Sequence, residues 1–208
     1  MTISTSQRPA TQGSRLGARG AGAVTVRALA AAMVATLASA ALAFGSQAGP
    51  AYLAVDSWTA EAVSANTVRL SATTGGAIPK QADSFISDNV ISGIAWADLG
   101  TGTALVATIH PALGRDSHQR PAGWHLHTVQ FAGGATAPND FCLVAVTSTP
   151  TAGFRIQGST MTIDLAASKL PDGGTGPISV DAIDAAVGFT VHGGDTNCGT
   201  GLGVRIRT

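Results

Sequence analysis

Short runs in which apolar and polar residues alternate, each closed off by Gly, Pro, Asn or Asp, follow one another through most of the chain. A period of two is that of a strand, whose side chains point to opposite faces in turn. On this basis the sequence predicts strands over residues 67–72, 89–98, 104–110, 124–131, 142–148, 153–157, 160–165, 188–192 and 201–207. Gly158-Ser159, between two alternating runs, reads as a hairpin turn. Short helical turns are expected at 166–170 or 181–186, and residues 52–62 read equally well as an edge strand or an ordered arm. Closely spaced strands without a strand–helix–strand rhythm predict an all-β sandwich or barrel.

The first 48 residues follow another pattern. Arg8, Arg15, Arg19 and Arg27 are their only charges, and they lead into an apolar, alanine-dominated run at 28–43. A basic start, an apolar stretch and small residues beyond it make a secretory signal, with cleavage expected after Ala43 or, alternatively, after Ala48. A membrane anchor is the rival reading, but a span takes about 20 apolar residues and this run is shorter. No later stretch is long or apolar enough to span. The expected organisation is therefore a signal peptide and cleavage region at 1–48 and one β-sandwich domain at 49–208, secreted or exported to the cell envelope.

Removing the leader changes the charge. The full chain balances 12 basic against 12 acidic residues, and without the four arginines the domain carries a net charge of about −4. A mildly acidic domain without a basic stripe is a poor partner for nucleic acid. Its two cysteines, Cys142 and Cys198, are expected to pair in an oxidising compartment, the alternative being two buried free thiols.

Histidine placement is the main chemical signal. In Trp124-His125-Leu126-His127 the apolar pair points one way and the imidazoles the other, about 7 Å apart along the strand. Phe189-Thr190-Val191-His192 repeats the arrangement, with His192 opposite Phe189 and Val191. If the large apolar residues face the core, all three histidines stand on the outer face, where His125 and His127 are close enough to converge on one metal ion, joined by His192 if its strand is a neighbour. Copper, zinc, nickel and iron all accept imidazole. His110, at a strand end before Pro111, is the candidate fourth ligand. His118 is a weaker one, with Asp116 placed to orient it. The bland alternative is histidines bonded to water or carbonyls on a sheet surface.

Gly123-Trp124-His125-Leu126-His127 resembles the Gly-Phe-His-Val-His strand of copper–zinc superoxide dismutases. Val191-His192, followed by Cys198 and the Gly201–Ile206 stretch, resembles the closing segment of that family. CHRD domains show a similar layout of a His-x-His strand, a Val-His strand and a glycine-rich last strand. The resemblance covers mainly residues 91–208. It implies an antiparallel Greek-key β-sandwich of about eight strands, with copper-ligand counterparts at His125, His127 and His192. It also implies a Cys142–Cys198 bridge tying a loop to the last strand. The sequence departs from the dismutase pattern between residues 128 and 141, which hold no histidine where a zinc loop would lie. The bridging histidine has no counterpart, and residues 196–203 lack the active-site arginine.

Other chemistries lack their motifs. There is no Gly-x-Ser-x-Gly elbow and no His-Glu-x-x-His. The glycine-rich turn at 173–176 opens no helix, and the aspartates match no calcium-loop spacing. The sequence thus predicts an exported CHRD-like binding or structural domain that holds copper or zinc through surface histidines. The alternative is a copper-dependent dismutase-like oxidoreductase.

Overall fold

The computed structural model describes residues 48–81, 90–110, 123–170 and 180–208. Ten strands lie among them: β1 Val55–Ser64, β2 Thr67–Thr74, β3 Val90–Asp98, β4 Thr103–Ile109, β5 His125–Ala132, β6 Phe141–Ser148, β7 Gly153–Gln157, β8 Thr160–Ala166, β9 Ala185–Gly193 and β10 Leu202–Arg207. Nine of them match the runs read from the alternation to within a few residues. The tenth, β1, is the stretch the pattern left open. Most of its side chains face solvent, so it carries little apolar periodicity, and it forms the edge of a sheet. The expected helical segments are single 3-10 turns at Ala167–Lys169 and Val180–Ala182. Residues 1–47, on which the signal-peptide reading falls, His118 with Asp116, and the glycine-rich stretch 173–176 lie outside the described residues.

All pairing is antiparallel. β1, β2, β8 and β7 make a four-stranded sheet, in that order, while β10, β6, β5, β4, β3 and β9 close into a six-stranded barrel. Gly158, with φ of 59°, supplies the left-handed residue of the β7–β8 hairpin turn. The fold is all-β, and it gives the barrel wall two apolar faces instead of one.

Between the four-stranded sheet and the barrel wall lies a core that joins Leu70, Met161 and Ile163 of the sheet to Ile94, Trp96, Leu105, Trp124 and Leu126 of the barrel side. The next residues along the same strands point the other way. Ala95, Ala97, Ala104, Val106, Val129, Phe189, Val191 and Ile206 form a second cluster drawn from barrel strands alone, which fills part of the lumen. A one-turn helix at Ala51–Leu53 packs on the outside of β9. It can do so because residue 188 is glycine, since a Cβ there would run into the Leu53 carbonyl.

The barrel closes at a narrow seam. β10 pairs with β9 along its whole length but with β6 at only two positions, Gly203 opposite Cys142 and Val204 opposite Phe141. Two further bonds reinforce it: the Asp140 amide donates to the Val204 carbonyl at 2.8 Å, and the Ile206 amide donates to the Asp140 carboxylate at 2.8 Å. Cys142 is also bonded to Cys198, with Cα atoms 5.2 Å apart, as the two-cysteine reading expects. Beside the bridge, the buried Asp195 carboxylate accepts hydrogen bonds from the Thr136 amide at 2.8 Å, the Thr136 hydroxyl at 2.9 Å, the Asn139 amide group at 2.8 Å and the Asn197 amide at 3.1 Å. Those donors favour the ionised form, the Asn139 bond most of all, and hold its pKa down to about 2.

Candidate metal centre

Strand register builds the site. Thr108 of β4 stands opposite His125 of β5, and Val106 opposite His127. Residues two apart share a face, so Val106, Thr108 and His110 point the same way along β4, as do His125, His127 and Val129 along β5. Their common face is the barrel lumen. The alternation in Trp124-His125-Leu126-His127 is therefore as read from the sequence, with Trp124 and Leu126 in the core between sheet and barrel.

The histidines are not on an outer surface, however. His110, His125 and His127 retain only 4%, 9% and 8% of their exposure. A sandwich sheet has solvent behind the face opposite its core. A sheet that closes on itself has a second interior there.

The three rings form a compact group. Their candidate ligand nitrogens all lie within 4.8 Å of one another, and the group is His110, His125 and His127. The Nε2 atoms of His110 and His125 are 2.9 Å apart. Neighbouring rings meet edge to face, with centroids 4.7 Å apart for His110–His125 and 4.8 Å for His125–His127. An ion about 2.0–2.1 Å from each nitrogen in tetrahedral geometry holds a pair about 3.4 Å apart. The widest separation thus has to close by up to about 1.4 Å and the His110–His125 pair to open by about 0.5 Å, movements of side-chain rotation.

Neighbouring groups orient the rings. His125 Nδ1 donates to the Gly123 carbonyl at 3.0 Å, which leaves the lone pair of the neutral ring on Nε2, facing the cluster. The Thr108 hydroxyl lies 3.3 Å from that same Nε2, and the Thr149 hydroxyl 3.4 Å from His127 Nδ1. The alternation along β4 already aligned Thr108 with His110. Thr149 had no such signal, because it reaches His127 across a β5–β6 ladder that is shifted by irregularities in register.

His192 stands elsewhere, which corrects the expectation that it joins His125 and His127. In the closed strand order β9 is three strands from β5 in either direction. The facing is also opposite. Phe189 and Val191 point into the lumen rather than into the core that holds Trp124 and Leu126, so His192 points out of the barrel. There its Nε2 lies 2.8 Å from the Thr190 hydroxyl and 3.4 Å from the Arg207 guanidinium. Burial lowers its pKa below the usual imidazole value, and the positive charges of Arg205 and Arg207 lower it further.

Beyond the histidines the lumen opens into a cavity of about 680 Å³. His110 and His127 line it, together with Thr108 and Thr147 to Thr149 at the same end, and the rest of its described lining is aliphatic and aromatic. No protein-family model, curated protein or solved structure matches this chain.

Proposed function

We propose that this chain is an exported β-domain that holds one metal ion, copper or zinc, at the mouth of its barrel through His110, His125 and His127. The observation that carries this reading is the convergence of three buried imidazoles within 4.8 Å of one another. Imidazoles packed this closely would repel one another if protonated, whereas an ion draws their lone pairs together. Export is supported by the leader pattern at residues 1–48 and by the Cys142–Cys198 bond, which persists in oxidising compartments. In this reading the domain acts as a CHRD-type binding or structural unit, and the ion serves recognition instead of turnover.

The alternative from the resemblance is copper-dependent superoxide dismutation. It relied on His192 as a ligand, and His192 is directed out of the barrel towards Arg207. What still favours it is an imidazole-only ligand set, which suits a redox-cycling copper ion. The test is metal analysis of secreted, tag-free protein, followed by a superoxide assay of the copper-loaded form. One equivalent of copper or zinc bound by the wild type and lost in His127→Ala supports the binding reading. Superoxide consumption at an enzymatic rate would replace it with the dismutase reading, and absence of metal from protein dialysed against either ion would overturn both.

A further inference from the structure

We propose that the barrel lumen is a binding site for a monocarboxylic amphiphile, whose carboxylate completes the coordination of the ion and whose tail fills the cavity. This rests on the metal reading above. Three observations lead to it.

The first is space. A cavity of about 680 Å³ falls within the range of small-molecule sites. At about 30 Å³ for each water-sized group it has room for roughly twenty of them.

The second is polarity. The shaft is lined by residues such as Ala95, Val106, Phe131, Val187, Phe189 and Ile206, and among the described residues no Asp, Glu, Lys or Arg lines the cavity. Its polar side chains gather at the end where β4 finishes and β5 begins. A ligand matched to this lining is apolar along its body and polar at one tip.

The third is charge. Three neutral imidazoles bring no negative charge to a dication, and among the described residues the lining holds no carboxylate to offset it. An unbalanced charge among apolar groups is costly, so an anionic donor is favoured as the next ligand. A three-histidine set also leaves a coordination position for a donor from outside the protein. Since His110 and His127 both border the cavity, a carboxylate can reach that position from the lumen with its tail among Ala95, Val106 and Phe189.

The experiment titrates zinc-loaded and zinc-free mature protein, oxidised and untagged, with acetate, hexanoate and dodecanoate below micellar concentration. Zinc stoichiometry is measured separately. One dodecanoate should bind per zinc-loaded chain, about tenfold or more tightly than to the zinc-free chain. Affinity should rise about fourfold per added methylene until the cavity is filled. Ala95→Phe, which places a ring in the shaft, should weaken dodecanoate at least about tenfold and keep one zinc. Should that variant fail to fold, the chain-length series on the wild type decides alone.

One zinc bound with no dodecanoate binding, or with acetate binding as tightly as dodecanoate, overturns this inference and leaves the metal reading standing. Dodecanoate binding that is indifferent to zinc overturns the placement of the carboxylate on the ion. No zinc bound overturns both.

Discussion

The Nε2 atoms of His110 and His125 lie 2.9 Å apart, although His125 already uses its other nitrogen on the Gly123 carbonyl. In the neutral pair, therefore, His125 Nε2 accepts and His110 Nε2–H donates. A metal ion takes the place of that hydrogen bond, with the His110 proton carried on Nδ1 in the bound tautomer. Replacing His110, His125 or His127 by Ala should lower zinc affinity by about a hundredfold or more, while His192→Ala leaves it within about twofold. Isothermal titration on the four variants checks this, and loss of affinity in His192→Ala alone would move the site.

Protons compete with the ion for the same ring nitrogens, so zinc affinity should fall as the pH is lowered. Zinc titrations at pH 8 and pH 5.5 check this, and an affinity that does not change would show that the ion is not held by imidazole nitrogens.

The outward histidine has its own pH signature. The folded-state pKa of His192 is lowered, chiefly by burial. Above the unfolded value of about 6.5 the ring is neutral in both states and costs nothing. As the pH falls below that value, the unfolded chain takes up the proton first, so stability declines until the folded pKa is passed. Urea unfolding of wild type and His192→Gln between pH 8 and 5 should show a steeper loss of stability in the wild type than in the variant.

Asp195 produces the opposite case at lower pH. Its pKa is held down to about 2 by four hydrogen-bond donors. A carboxylate with a depressed pKa contributes stability above its unfolded value of about 3.9 and loses it as the pH falls towards the folded one. Asp195→Asn should therefore be less stable than wild type at pH 6, and the gap should narrow between about pH 4 and 2. A gap that does not change with pH would mean that the site is held by shape instead of charge.

Removing the Cys142–Cys198 bond should lower stability by about 4 kcal/mol by the loop-entropy relation, given a sequence separation of 56. Cys142→Ser/Cys198→Ser compared with wild type in urea measures it.

The alternation in the sequence was enough to locate nine strands, because a strand's period of two is local and survives without knowledge of its neighbours. It also assigned Trp124 and Leu126 to one face and His125 and His127 to the other. It carried no information on what lies behind a face. Phe189 and Val191 look like Trp124 and Leu126 in sequence, yet one pair fills the lumen and the other the space between sheet and barrel. Treating both pairs as facing one core put all three histidines on one outer face, and the dismutase resemblance set His192 beside His125; barrel closure undoes both. His110 was accessible for the opposite reason, since its place follows from the β4 alternation that also aligns Thr108. Closure itself depends on pairings between strands distant along the chain, and no local pattern encodes them.

The β6–β10 seam gives the barrel a dependence on its surroundings. With only two register pairs joining those strands, the Cys142–Cys198 bond is the one covalent clasp on an otherwise lightly fastened edge. A chain kept reduced has to hold its lumen shut by a few hydrogen bonds and the packing of Phe141 and Val204, and strand edges so weakly paired open readily. Oxidation therefore does more than stabilise a finished fold. It makes the lumen a property of the compartment: the histidine mouth and the cavity behind it are durable in oxidising surroundings and loosely held in reducing ones.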